Sequence, residues 1–580
     1  VLVDLQKKGA SVQLIDCARV TQPNLAIVDV KPADDTRAAG VPLFVDVAVK
    51  NFGAAPVKRV LVKVRSLYFA PELAEDGPSP RGEGDSEELP TIVLDELKPG
   101  ETAVRRVQVY FAKPGQHVVE ATLPDDPVVA DNRRWCVIDF PEGDNVLVID
   151  GSPATKPGQN LKPPSYFLEA AFQPSQRVRT GILPTIQPTA FLRDIAPTEL
   201  AKYQTVYLLD VDRLDDQAVT KLEAFVRAGG GLAVFVGDQS NLTFMNTKLY
   251  REGGGLSPVE LDRIDLLPPP LNEDAADIEV DDHPIFAMFQ GERNPFIRMV
   301  TIEKYLKAKD SFAPPPGSTV RVAARLRNRQ PLAIEHKFGE GHVVVFLTAI
   351  DKNWNNWAQG PSFIGVLLKL QSFLTASRRE IDPRVVGTPL EVDFDKDRFR
   401  STVQFLAPAA KQGSRTLVED QAQPVPNASG KLRAKIGVGV GGVAASATQR
   451  AGIYEAWQQK ATEGYEVSRF ALNVDPTEGD LAHMESATLT AKLAPVRVKY
   501  SPAEQFELDA GDQSGMNRSL FVMALLILLL LIEQFVAYQF SYHPAKVAAG
   551  VPVASRGLAG RAMARVAAGG EPVATSRGGN

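Results

Sequence analysis

The spacing of apolar residues divides the chain into stretches of different period. From Pro23 to Phe140 apolar and polar positions alternate over short runs, the pattern of strands with one buried face. PLFVDVAVKNFG carries Phe44, Val45, Val47 and Val49 up to a turn at Asn51-Phe52-Gly53, and VKRVLVKVRSLYF repeats the alternation. TIVLDELKPGETAVRRVQVYF sets a Pro99-Gly100 turn between two strands, and HVVEATL and RRWCVIDF close the set. Together they predict an antiparallel, immunoglobulin-like β-sandwich over 23–140. The acidic insertion PELAEDGPSPRGEGDSEELP, rich in Pro and Gly, predicts a mobile loop.

From Asn145 the period changes. The apolar runs NVLVID, RVRTGIL, TVYLLD and LAVFVGD alternate with the helical patterns YFLEAAF, PTELAKY and DDQAVTKLEAFVRAGGG, which predicts a doubly wound parallel α/β layer over 144–378. Leu222, Phe225 and Val226 form the apolar face of one helix, and Gly229 to Gly231 end it. FIRMVTIEKYL, TVRVAARL and PLAIEHKFGEGHVVVFLTAI read as strands, with a Gly339-Glu340-Gly341 turn, and PSFIGVLLKLQSFL as the closing helix. Alternation returns in LEVDF, STVQFLAP, SRTLVED, KLRAKIGV, GIYEAW and YEVSRFALNVDP, predicting a second β-sandwich over 386–502, with GVGVGGVAASATQRAG as a loop. VLVDLQ at the start reads as a buried strand, so 1–20 is expected to be the end of a domain whose front lies outside this sequence.

Leu520 to Ile532, LFVMALLILLLLI, shows no polar stripe for more than three turns. Extended to Phe540 it matches the roughly 20 helical residues that cross a hydrocarbon core of about 30 Å, and its uninterrupted part favours insertion by about 4 kcal/mol. A single transmembrane helix is therefore expected over 519–540, after a linker at 503–518. The tail 541–580 carries Lys546, Arg556, Arg561, Arg565 and Arg577 against Glu571 and is expected to be disordered. Glu504, Glu507, Asp509 and Asp512 precede the span. The positive-inside rule then places the tail in the cytoplasm and the bulk of the chain outside the inner (cytoplasmic) membrane.

The 580 residues are 44% hydrophobic with a net charge of −6, a globular multidomain composition without the basic stripe of a nucleic-acid binder. Cys17 and Cys136 are too few for a disulfide framework or a cysteine-rich metal site, though one bridge between them stays open. No histidine pair has zinc spacing, and no metal or cofactor is expected.

Ligands of open α/β sheets sit beyond the carboxyl ends of the strands. That rule singles out Asp150, Gly151, Asp210, Asp212, Gly237, Asp238, Gln239 and Ser240 as a candidate ligand pocket. Ser240 as a nucleophile needs a base, with His283, His336 and His342 the available partners, and the strained Gly-x-Ser-x-Gly elbow is absent. The competing reading has the aspartates capping helices. In KNWNNWAQG, Trp354 and Trp357 either stack a sugar or peptide or anchor the loop inward. Asp125, Asp126, Asp131 and Asn132 either ligate calcium or solvate a hairpin.

NLAIVDV, VDVAVKNFGAAPVKRVLVKV, LKPGETAVRRVQV and VVEATLPDDPVVADNRRWCVIDF resemble the CARDB family of bacterial immunoglobulin-like adhesion modules. The order VLVIDG, TVYLLD, helix, GGGLAVFVGD resembles the class I glutamine amidotransferase-like fold, including its trehalose-utilisation-related branch. In those enzymes a nucleophilic Cys follows a strand near the position held here by Gly237 to Gln239; no Cys follows Cys136 in this chain, so the resemblance implies a degenerate domain and no catalysis. The whole order, with FALNVDPTEGDL, the span and EQFVAYQFSYHP, resembles the BatA-like aerotolerance membrane proteins of planctomycete-type bacteria. That resemblance implies a von Willebrand factor A domain ahead of Val1 and envelope partners, namely other Bat-type membrane proteins and a MoxR-type AAA+ ATPase. The expected function is non-enzymatic assembly through protein–protein contacts, with an amidase or hydrolase, or carbohydrate binding, as the rivals.

Overall fold

The computed structural model describes residues 2–17, 22–33, 36–69, 77–78, 84–152, 162–175, 178–270, 275–290, 294–314, 317–379, 383–409, 414–426, 428, 430–437, 447–481, 484–503 and 514–540. The chain forms two compact units, Ala18–Met484 and Val1–Cys17 with Glu485–Asn580.

The larger unit opens with a sandwich. One sheet orders β1 (Leu25–Pro32), β2 (Leu43–Asn51) and, further along the chain, Thr102–Val109, all antiparallel. The other is built on β3 (Val57–Tyr68), which pairs with β4 (Asp85–Glu88), β5 (Ile92–Leu97) and β7 (Gly115–Thr122), the strand after β6 (Thr102–Val109); β7 in turn pairs with β8 (Arg133–Phe140). The inward positions of the alternating runs fill the core between them, with Val45, Val47 and Val49 facing Val62, Val119 and Ile138. Strand β4 corrects the loop expectation for part of the acidic insertion. Its four side chains are exposed, so the backbone ladder to Arg65–Tyr68 holds it rather than apolar burial. Most of the remaining insertion lies outside the described residues.

An eight-stranded sheet follows. Its elements are β9 (Asp144–Asp150), α1 (Pro164–Phe172), β10 (Ile182–Pro188), β11 (Thr205–Leu209), α2 (Asp216–Arg227), β12 (Gly231–Phe235), β13 (Leu261–Leu266), β14 (Ile278–Val280), β15 (Lys304–Ala308), β16 (Val320–Leu326), β17 (Pro331–Phe338), β18 (Gly341–Phe346) and α3 (Pro361–Thr375). The strand order is β10-β9-β11-β12-β18-β17-β16-β14, while β13 and β15 pair separately. The first five strands are parallel, and α1 and α3 cover one face while α2 covers the other. The sheet is thus mixed, with the expected parallel strands on one side and the expected hairpin at Gly339 opening the other. The two-residue turn Gly339-Glu340 can only return the chain antiparallel, and the last three strands continue that sense. Strand β10 begins at the last two residues of the expected RVRTGIL and runs past it, and it tolerates Pro184 and Pro188 because an edge strand has a ladder on one side only. FIRMVTIEKYL is likewise corrected: Pro295–Arg298 is a helical turn capped by Asn294, and the strand begins at Lys304.

A second sandwich ends this unit, with β19 (Arg384–Val385), β20 (Leu390–Asp395), β21 (Phe399–Pro408), β22 (Arg415–Gln421), β23 (Gln423–Pro424), β24 (Lys431–Ile436), β25 (Gly452–Lys460) and β26 (Tyr465–Asn473) in sheets β19-β26-β25-β21-β22 and β20-β24-β23. Phe394, Val403, Phe405, Ile436 and Tyr454 pack between them. Most of the expected loop GVGVGGVAASATQRAG is outside the described residues.

In the smaller unit Leu2–Lys7 is a helix with no buried residue, correcting the expected strand. Its acid lies in the first turn and its base in the last, as the helix dipole favours. Val12–Asp16 pairs in parallel with Val498–Pro502, which the sequence had joined to the second sandwich, and the Tyr500 hydroxyl donates to the Asp16 carboxylate. Ser514–Phe540 is one helix, of which Leu520–Phe540 has mean hydropathy 2.7 and no buried share; it is long and apolar enough to cross a membrane. The tail 541–580 lies outside the described residues.

Candidate functional site

Parallel register sets the carboxyl ends of β9, β11 and β12 side by side, with Asp150 opposite Leu209 and Leu209 opposite Phe235. The sequence-predicted residues therefore do meet. Asp210 takes the left-handed conformation, φ +47°, one that Asp tolerates better than most residues. Its amide donates to Phe235 O at 2.9 Å, and its Oδ1 accepts from Gln239 N at 2.8 Å and lies 3.5 Å from Ser240 Oγ. Gly237 N donates to Ser240 Oγ at 2.9 Å. A Cβ on Gly237 would lie 2.4 Å from Asp210 Cγ, and one on Gly151 2.5 Å from Asp210 O, so both glycines permit close approach. Asp150 accepts from Ser152 N and Oγ and from Ser165 N in the first turn of α1. Asp212 accepts from Asn241 Nδ2 at 3.2 Å, and Asn241 Oδ1 caps the next helical turn.

Burial pushes the Asp210 carboxyl up to about 6; the Gln239 N–H opposes the shift, and the Asp238 and Asp150 charges reinforce it. Asp238 Oδ1 accepts from Trp354 Nε1 at 3.0 Å. Trp354 is 0% exposed and Trp357 2%, and they sit in the cores on opposite sides of the sheet. The stacking surface is thereby corrected: neither ring presents a face to a ligand, because Asn355 ties the segment inward through Thr348 Oγ1, Ala349 O and Trp357 N.

The histidines are engaged elsewhere. His283 Nε2 lies 2.9 Å from Glu335 Oε2, and His342 Nδ1 lies 3.1 Å from Glu335 Oε1. Burial alone would raise the Glu335 carboxyl, yet these two bonds hold it at about 2. His336 faces Thr319. Among the described residues, Ser240 Oγ has Gly237 N and Asp210 Oδ1 as its hydrogen-bond partners, and neither belongs to a histidine.

In the Asp125–Asn132 loop, Asp126 accepts from Leu25 N, Val128 N and Asn132 Nδ2, while Asp131 accepts from Asn24 Nδ2. These bonds staple the loop to the start of β1. Among the described residues no three His, Cys, Asp or Glu side chains gather for a metal ion. Cys17 and Cys136 are free thiols, and burial pushes Cys136 up to about 12.

No family model matches the chain, and no curated protein matches it. Similar solved structures include the cytoplasmic protein STM3548 from Salmonella typhimurium, 13% identical over 40% of this chain and 98% of that one, TM-score 0.26. Another is the CARDB domain of the PF1109 protein from Pyrococcus furiosus in complex with di-metal ions, 16% identical over 21% and 94%, TM-score 0.16. A third is a thua-like protein from Bacteroides uniformis, 12% identical over 40% and 92%, TM-score 0.26.

A second region escaped the sequence reading. A cleft of about 600 Å³ opens where the first sandwich, the α/β layer and the second sandwich meet. Its walls are fixed by a reciprocal pair, Asn473 Oδ1 accepting from Trp135 N and Asn473 Nδ2 donating to Trp135 O, both at 2.9 Å. Arg469 N donates to Gln116 Oε1 across the two sandwiches, and Arg379, just past α3, pairs with Asp144 at the start of β9. The only sequence signal was the adjacent arginines at 133–134 and 378–379, more than two hundred residues apart.

Proposed function

We propose that this chain is a membrane-anchored, non-catalytic binding and assembly protein of the cell envelope. Two sandwiches and a degenerate amidotransferase-like layer supply its contact surfaces, and Leu520–Phe540 is its anchor. The observation that carries this reading is the self-satisfaction of the strand ends. Ser240 answers Gly237 N and Asp210 instead of a base, Asp238 holds Trp354, and His283 and His342 are spent on Glu335. A nucleophile needs a base within reach and room for a reacting carbonyl. The tie between Trp135 and Asn473 further favours a preorganised head. The finer reading is BatA-like: an inner-membrane protein with its bulk outside the cytoplasm and its tail inside, partnered by Bat-type membrane proteins and a MoxR-type ATPase, with no nucleic acid and no cofactor.

Cross-linking of the full chain in native membranes, followed by identification of the adducts, tests the reading. Adducts to related membrane proteins and an AAA+ ATPase are expected. Turnover of an amide or ester by the purified full chain would overturn it, as would recovery of the chain wholly in the soluble fraction.

A further inference from the structure

We propose that the cleft between the two sandwiches and the α/β layer is a receptor site for a compact polyanion, a ligand bearing two or three carboxylate or phosphate groups. Seven Lys and Arg side chains line it against three Asp, in a chain whose net charge is −6, so the positive excess is local. Part of that charge is cancelled in place. Arg379 pairs with Asp144, Arg469 Nε lies 3.1 Å from Glu455, and Lys31 lies 3.5 Å from Asp29. Arg134 and Arg378 differ. The buried Arg134 donates from Nη1 to Ile27 O and Val474 O, and Arg378 donates from Nη1 to Tyr203 O and Ala201 O while stacking on Phe225 at 5.0 Å. Carbonyl acceptors fix the orientation of a guanidinium without neutralising it, and among the described residues neither arginine forms an ion pair.

Burial draws both guanidiniums below their usual range, with Asp29 and Asp475 opposing the effect at Arg134; the opposite charge of an anion in the cleft would offset that cost. Planar guanidinium forks match carboxylate and phosphate oxygens two at a time. Trp135 and Phe470 line the same space, and Arg384 lies over the Phe470 ring at 4.6 Å, adding an apolar wall against the carbon frame of a ligand. The volume falls within the range of small-ligand sites. The ligand class deepens the binding-protein reading above and rests on it.

The same chemistry can come from a free small molecule or from acidic side chains of a partner. Calorimetric titration of the full chain in detergent with citrate, inorganic pyrophosphate and hexaglutamate separates these sources. Saturable binding of at least one probe is expected, weakened about tenfold in Arg378→Gln and in Arg134→Gln, as loss of one charge-assisted contact implies. Because those arginines also hold carbonyls, phenylglyoxal labelling of the wild-type chain supplies a readout that needs no variant: the bound probe should protect the half-buried Arg378 and leave the exposed Arg105 reactive. If no probe binds, or if one binds without protecting Arg378, the ligand class is wrong. Failure of the binding-protein reading looks different, namely amide or ester turnover in the same preparation.

Discussion

The strand ends of the α/β layer and the cleft between modules are both polar and partly buried, yet they treat their charges in opposite ways. At the strand ends every acid has found an internal donor: Asp150 takes Ser152 and Ser165, Asp210 takes Gln239, and Asp238 takes Trp354. In the cleft Arg134 and Arg378 are oriented by carbonyls and keep their charge. Polar groups that consume one another hold a fold together, whereas oriented charge without an ion-pair partner is available to a ligand.

That contrast breaks most readily at Trp354. If this ring is structural, Trp354→Ala should cost about 4 kcal/mol in urea denaturation, the range for a large buried aromatic. A cost below about 1 kcal/mol would return the ring to ligand stacking. Gly237→Ala forces a Cβ against the Asp210 carboxylate and should cost about 2–3 kcal/mol by the same measurement.

Two carboxylates sharpen the comparison through pH. Asp210 titrates at about 6 in the fold against 3.8 as its ordinary value, so the stability it contributes is complete below pH 3.8 and is lost as pH rises through about 6. Glu335, held at about 2 against 4.5, behaves oppositely: its contribution is present above pH 4.5 and lost as pH falls through about 2. Asp210→Asn should therefore flatten the pH 4–6 part of the melting curve and stabilise the protein at pH 7 by about 1 kcal/mol, once the shift is discounted for solvent screening. Asn also suits the left-handed backbone there. A flat wild-type profile over pH 4–6 would contradict this. The smallest effect is expected for Ser240→Ala, within about 1 kcal/mol in stability and with no change in anion binding.

The strands β9, β11 and β12 and helix α2 were legible because their apolar periods are long and unambiguous. The strand-end rule also pointed to Asp150, Asp210 and Ser240, which lie at neighbouring strand ends. What the sequence concealed was how those side chains are used, since that depends on the left-handed turn at Asp210 and on approaches that only Gly151 and Gly237 permit. KNWNNWAQG looks amphipathic as a string, and only the Asn355 bonds turn its rings inward. Leu2–Lys7 is apolar enough to read as a strand but too short for its period to decide. The cleft was invisible because Arg134, Arg378 and Arg469 belong to three modules and share no motif.

Side-by-side titration of Ser240→Ala and Arg378→Gln with the anion probe that binds the wild-type chain most tightly tests the central claim most directly. The account predicts wild-type affinity for Ser240→Ala and about tenfold weaker binding for Arg378→Gln. Weakening confined to Ser240→Ala, with Arg378→Gln unaffected, would move the working site to the strand ends and contradict it.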